Sequence, residues 1–301
     1  MTEAADRSLT HLSPAESRLS ALFARPKWLA ATCVVTLTGL GWLYLGLMVA
    51  GSADPASAFG PGMSVFDFLP RAFEAICRAA FGSGTFDATT IALVALMWGA
   101  MVLAMMLPSA APMIFSYAEI ADTAARKRAS VVSPFVLAGG YTAVWFGFAL
   151  VATLAQLALT RAALLNASMA SASGLFSGAI FIAAGVYQFS EFKHACLRQC
   201  QRPFPFLFTH WETTPRGVFR LGLKQGLYCV GCCWAMMLVM FAVGVMNVIW
   251  MAALGVVMTI EKMLNGRRFS HAVGAVLLAA GIAFVAAAFA AHWPAAKFEQ
   301  G

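Results

Sequence analysis

Cys229, Cys232, Cys233, Met236, Met237 and Met240 are spaced i, i+3, i+4, i+7, i+8 and i+11 within one apolar stretch. At ~100° per residue a helix projects all six within an arc of roughly 140°. Thiolates and thioethers are the ligands that select Cu(I) and other soft metals over Mg²⁺ or Ca²⁺. Taken singly, each residue reads as packing, since Met fills irregular gaps and Cys behaves as a small hydrophobe. Three Cys within five residues, continued by Met on the same face, favour a metal site or a metal path instead.

The elements that must position this stripe are membrane helices. The chain has 301 residues, 61% hydrophobic and 11% charged, against about 25% charged in a soluble domain. The fold class is therefore an all-α polytopic membrane protein. Seven apolar segments, 29–50, 88–119, 131–160, 174–193, 221–244, 246–264 and 271–293, approach or exceed the ~20 residues that a helix needs to cross a bilayer. The break between the fifth and sixth falls near Gly244 to Asn247. The resulting organisation is a polar cytoplasmic tail (1–28), one transmembrane helical domain (29–293) and a short external tail (294–301). The domain carries an external loop at 51–87 and a cytoplasmic loop at 194–220. Within the external loop, Met63 to Phe81 alternates apolar and charged residues as an interfacial amphipathic helix would.

Charge placement sets the orientation. With the N-terminus inside, 16 Lys and Arg fall on the cytoplasmic side, and only Arg71, Arg78, Arg161 and Lys297 fall outside. That asymmetry is the positive-inside pattern and predicts an N-in, C-out protein of about seven transmembrane helices. The net charge of +7 then needs anionic lipid beside basic loops, not nucleic acid, which would call for a clustered patch and a matching fold. Five of the seven Cys lie on or near the cytoplasmic side. Thiols stay reduced there, which favours metal or redox chemistry over a disulfide framework.

Other helices carry related features. Met97, Met101 and Met105 repeat at i, i+4, i+8, and Asn247, Met251, Met258 and Glu261 share a stripe of the sixth segment. Pro108 and Pro112 stand four apart inside the second segment. Each removes a backbone donor, so a structural kink is expected there. Gly139-Gly140, Gly178 and Gly185 suit close helix contacts. At the end of the fourth segment His194, Cys196 and Cys200 form a local N/S cluster whose spacing is not that of a zinc finger. Glu191-x-x-His194 is the di-iron spacing, but a di-iron bundle needs two such motifs and further Glu, and one copy is present. On an unbroken helix Cys196 points away from His194, so a shared ion requires the helix to end nearby, as Pro203 permits. By topology these groups lie on the same side as Cys229, which suggests thiolates at the cytoplasmic mouth grading into the thioethers of Met236, Met237 and Met240.

Several stretches resemble a bacterial family of predicted metal-binding integral membrane proteins, sometimes labelled copper chaperones or chelators. They are Met105-Met106-Leu107-Pro108-Ser109-Ala110-Ala111-Pro112, Tyr187-Gln188 with Lys193-His194-Ala195-Cys196-Leu197-Arg198-Gln199-Cys200, Gly226-Leu227-Tyr228-Cys229-Val230-Gly231-Cys232-Cys233-Trp234-Ala235-Met236-Met237, and Gly244-Val245-Met246-Asn247-Val248-Ile249-Trp250-Met251. The resemblance spans about residues 90–265, and its Tyr-Cys-x-Gly-Cys-Cys-Trp element is specific. It implies Cys196, Cys200, Cys229, Cys232 and Cys233 as the ligand set. The family pattern has Thr-Pro where this chain has Ser190-Glu191, and a variable His, which weakens His194 as a ligand.

The expected function is a soft-metal-binding protein of the bacterial inner membrane that handles or transfers Cu(I), with Zn as the alternative ion. Its expected partners are the lipid bilayer and a metal-donating or metal-accepting protein. Two alternatives remain open: an assembly factor delivering metal to a partner, and a thiol redox enzyme using Cys232/Cys233 or Cys196/Cys200. No ATP-binding loop or phosphorylatable Asp motif is present, which excludes primary pumping.

Overall fold

A computed structural model describes residues 26–50, 87–126, 131–165, 171–245 and 247–292. Residues 1–25 of the expected N-terminal tail, the C-terminal tail and the expected amphipathic helix at 63–81 lie outside the described residues. Among those described, the chain is helical apart from its turns and one isolated β-bridge between Leu165 and Ser171. The helices are α1 (Pro26–Ala50), α2 (Ala88–Met101), α3 (Leu107–Arg126), α4 (Pro134–Arg161), α5 (Gly174–Tyr187), α6 (Glu191–Gln201), α7 (Pro203–Thr209), α8 (Pro215–Leu238), α9 (Met240–Val243), α10 (Val248–Met263) and α11 (Arg268–His292). A π-helical turn, Val102–Met106, joins α2 to α3.

Five stretches are long and apolar enough to cross a membrane: Ala30–Leu47, Ala88–Ala124, Pro134–Arg161, Pro215–Val243 and Arg268–Ala290. The two other expected segments form shorter helices. Segment 174–193 is split, because Ser190 stops α5's continuation and caps α6, its Oγ accepting from Lys193 N at 3.1 Å. The axes of α5 and α6 differ by 65°, so Tyr187, Glu191 and His194 do not share one helical face. Segment 246–264 appears as α10, 16 residues long, or about 24 Å at 1.5 Å per residue. It begins after Gly244, whose φ of +104° suits glycine and ends α9. Asn247 Oδ1 then caps α10 by accepting from Trp250 N. The stretch expected as a cytoplasmic loop, 194–220, is mostly α6, α7 and the first turns of α8.

Close crossings bring the site helices together. A Cβ built on Gly140 would lie 2.2 Å from Phe219 O, and one on Gly222 would lie 2.2 Å from Leu137 O. Only glycine at both positions lets α4 and α8 touch backbone to backbone. Gly178 and Gly281 do the same for α5 and α11, where added Cβ atoms would meet each other's carbonyl oxygens at 2.9 and 3.0 Å. In α3 the missing N–H of Pro108 would leave Ala104 O, four residues back, without its helical donor. Trp42 Nε1 of α1 donates to that oxygen at 3.0 Å. The helix runs on through Pro108 and Pro112, with its irregularity displaced to the π turn just before them.

Candidate metal centre

The stripe on α8 and α9 faces inward. Cys229, Cys232, Cys233, Met236, Met237 and Met240 are all at most 1% exposed. Among the described residues, the Sγ atoms of Cys229, Cys232 and Cys233 form a group lying within 4.8 Å of one another. Cys232 and Cys233 stand 3.3 Å apart at sulfur, and Cys232 Sγ donates to Cys229 O at 3.2 Å. Metal–sulfur bonds of ~2.3 Å place thiolates ~4.0 Å apart in a trigonal site and ~4.6 Å apart in a linear one. The three sulfurs therefore fit a soft ion of low coordination number with sub-ångström adjustment.

Cys200 of α6 lines the same small cavity as Cys229, outside the group of three sulfurs on α8. Cys196, one helical turn earlier, does not point into the same space. Its Sγ lies against the backbone at Gly231, where an added Cβ would be 2.6 Å away. Tyr187 donates its hydroxyl to Gly231 O beside it. Burial pushes the Cys196 thiol up from its ordinary pKa. Gly231 within the Cys-x-Gly-Cys-Cys motif is thus the gap that lets α6 close on α8. His194 turns instead toward His271, the rings 5.3 Å apart and edge to face.

Residues from three other elements surround Cys229. Lys262, at the end of α10, is buried and donates from Nζ to Cys229 Sγ at 3.0 Å and to Ser109 Oγ at 2.6 Å. The Ser109 hydroxyl in turn donates a hydrogen bond to Met106 O at 2.7 Å. Tyr141 Oη of α4 lies 3.0 Å from both Met106 O and Cys229 Sγ. A buried ammonium requires a compensating anion. Glu261 is occupied by Lys193 at 2.8 Å, so the sulfur cluster is where Lys262 finds its countercharge. The small cavity here is lined by Ser109, Tyr141, Cys200, Gln225, Cys229 and Lys262 among others. Its free volume of about 10 Å³ is far below the ~300–1,000 Å³ of small-molecule pockets. It has room for an ion, not for an organic substrate.

Further out, Gln188 Nε2 donates to Met236 Sδ at 3.0 Å. Met97, Met101, Met105, Met106, Met113, Met251 and Met258 are buried as well, and Met105 packs against Gly255 of α10.

Sequence reasoning missed Lys262, Tyr141, Ser109 and Gln188 as neighbours of the soft ligands. In the sequence Lys262 is only a basic residue next to Glu261 at the end of an apolar segment, and the packing of α10 on α3 and α8 is what brings it to Cys229.

A family model described as "Copper chaperone" (PpoB2) matches residues 95–284. The chain belongs to this copper chaperone family. The matched copper chaperone region runs from α2 into α11 and contains every residue of the centre just described. No curated protein and no solved structure matches the chain significantly.

Proposed function

We propose that this copper chaperone family member is an integral protein of the bacterial inner membrane that binds Cu(I) at its cytoplasmic mouth and moves it toward the methionines. The observation that carries this reading is the group of Cys229, Cys232 and Cys233 on α8, with Cys200 of α6 lining the same cavity as Cys229 and the buried ammonium of Lys262. Three or four thiolates supply soft, low-coordinate ligation, and Lys262 offsets part of the resulting negative charge. Zn is the competing ion, since four thiolates also suit a tetrahedral zinc site. Cys196 would serve as an adjacent docking position, with a metal-donating or metal-accepting protein approaching from the same side. Metal content after purification in reductant, wild type beside a variant with all five of these Cys changed to Ser, tests the reading. One copper per wild-type chain and none in the variant is expected. Equal content in both proteins, or zinc alone, would overturn it.

In the proposed topology α5 and α10 join the five long spans as shorter crossings, giving seven with the N-terminus inside and the C-terminus outside. Reporters fused after Arg128, Pro215 and Gln300 should read cytoplasmic, cytoplasmic and external. A cytoplasmic signal at Gln300 removes the seven-span arrangement.

Onward movement is the role assigned to Met236, Met237 and Met240. Exchange to Leu nearly conserves volume and should cost less than ~1.5 kcal/mol at each site. The triple Leu variant is expected to fold and to keep its copper at the cysteines. In proteoliposomes loaded with a Cu(I) chelator, it should pass copper at no more than about a tenth of the wild-type rate, because Leu offers no thioether ligand. Equal transfer by both proteins would make the stripe packing and the protein a binder only.

A further inference from the structure

A second polar cavity lies apart from the thiols, between α6 and the turn that joins α10 to α11. It measures about 530 Å³ including its open mouth, and its walls include His194, Arg198, Arg202, Asn265 and Arg267. No carboxylate lines it. Of its three arginines, Arg267 is paired with Glu191, both guanidinium nitrogens reaching the carboxylate, the Nη2 contact at 2.8 Å. That contact holds the Glu191 carboxyl below the ordinary carboxylate range. Three guanidinium groups therefore face one carboxylate.

His194 is 2% exposed, lines this cavity, and its Nε2 atom is buried without a hydrogen-bond partner. Buried polar atoms in native folds are almost always satisfied, and an orphan in the wall of a basic cavity points to a missing ligand. The turn that closes the cavity depends on Gly266, whose φ is +117°. Just before Gly266 in the chain, two apolar side chains turn outward: Met263 is 67% exposed and Leu264 48%. Arginine forks match phosphate oxygens in a bidentate manner. Basic pockets between membrane helices on the cytoplasmic side recognise phospholipid headgroups by this chemistry.

We infer that this cavity binds a phosphate-bearing anion, the headgroup of an acidic phospholipid at the membrane surface. Arg198 and Arg202 grip the phosphate, His194 Nε2 supplies a further contact, and Met263 and Leu264 rest against the lipid. The inference rests on the membrane reading of the chain and is independent of its copper chemistry.

The test compares three proteins purified in a neutral detergent: wild type, Arg198→Gln/Arg202→Gln, and the control Arg216→Gln/Arg220→Gln, whose arginines are exposed at the start of α8. Binding of fluorescent phosphatidylglycerol is measured against phosphatidylcholine, with inorganic phosphate as competitor and copper content recorded on the same samples. Wild type and control should prefer phosphatidylglycerol by about tenfold, the size of one charge-assisted contact, and the cavity variant should lose that preference. Displacement by millimolar inorganic phosphate would mark the phosphate alone as the recognised element. Resistance to it would mark the whole lipid, and either result upholds the site. Equal preference in all three proteins overturns the inference. So does equal loss in the control, because binding would then follow general surface charge. Wild-type protein that carries no copper yet prefers phosphatidylglycerol, with the preference lost in the cavity variant, would count against the copper reading and leave this site standing.

Discussion

Cys229→Ser is expected to weaken Cu(I) binding by more than a hundredfold. Structural zinc sites with four ligands gain about 10–16 kcal/mol on binding, or ~3 kcal/mol per ligand, and ~1.4 kcal/mol is a factor of ten. A hydroxyl is a poor ligand for a soft ion, so the exchange removes close to one full contribution. Cys229 is also where the other groups meet: Lys262 Nζ and Tyr141 Oη both lie 3.0 Å from its sulfur, and the Cys232 thiol donates to its carbonyl. Competition against a chromophoric Cu(I) chelator in reductant measures the effect. Lys262→Met in the same assay should cost roughly tenfold to a hundredfold, the worth of a charge-assisted hydrogen bond of ~1.5–3 kcal/mol. Cys33→Ser is the control, since Cys33 lines an apolar groove between α1, α3 and α4. If Cys229→Ser matched wild type, the centre would not be the copper site.

The contrast between Cys229 and Lys262 shows which parts of such a centre a sequence discloses. Cys229, Cys232 and Cys233 lie within five residues of one helix, so helical periodicity alone sets their common face, and the inward burial of the whole stripe follows from that period. Charge asymmetry leads to the expectation that Cys200 and Cys229 share one side, but the approach of Cys200 to the cavity of Cys229 depends on the bend at Ser190, a capping event inside an otherwise apolar run. Lys262 and Tyr141 arrive from α10 and α4, at 33 and 88 residues from Cys229, and nothing local distinguishes a buried lysine from one at a lipid boundary. The two short helices illustrate the same limit. Hydropathy marks 174–193 and 246–264 as apolar, yet the lengths of α5 and α10 are set by caps at Ser190 and Asn247 that hydropathy averages away.

The pair that fixes α6 to α10 is the second place where a large effect is expected. Lys193 Nζ contacts both carboxylate oxygens of Glu261, at 3.0 and 2.8 Å, with the two side chains 0% and 1% exposed. Gln201 Nε2 adds contacts to Glu261 O and Leu264 O at 2.8 and 2.7 Å. Lys193→Met strands the carboxylate, and breaking one partner of a buried ion pair costs about 3–5 kcal/mol. For a chain of this size that lowers the melting temperature by roughly 10 °C or more in detergent. The double variant Lys193→Met/Glu261→Met should recover most of the loss, because apolar replacement of a whole buried pair is often neutral or stabilising. Cu(I) affinity should fall and recover in parallel. The pair anchors the helix carrying Cys200 to the helix carrying Lys262, the residue next to Glu261, and loosening that anchor displaces both from Cys229. A double variant that regains its melting temperature but not its copper affinity would mean that the charges of Lys193 and Glu261 act on the thiolates through their field. A single variant within ~1 kcal/mol of wild type would mean that the contacts of Gln201, with the packing around them, hold α6 in place without the ion pair.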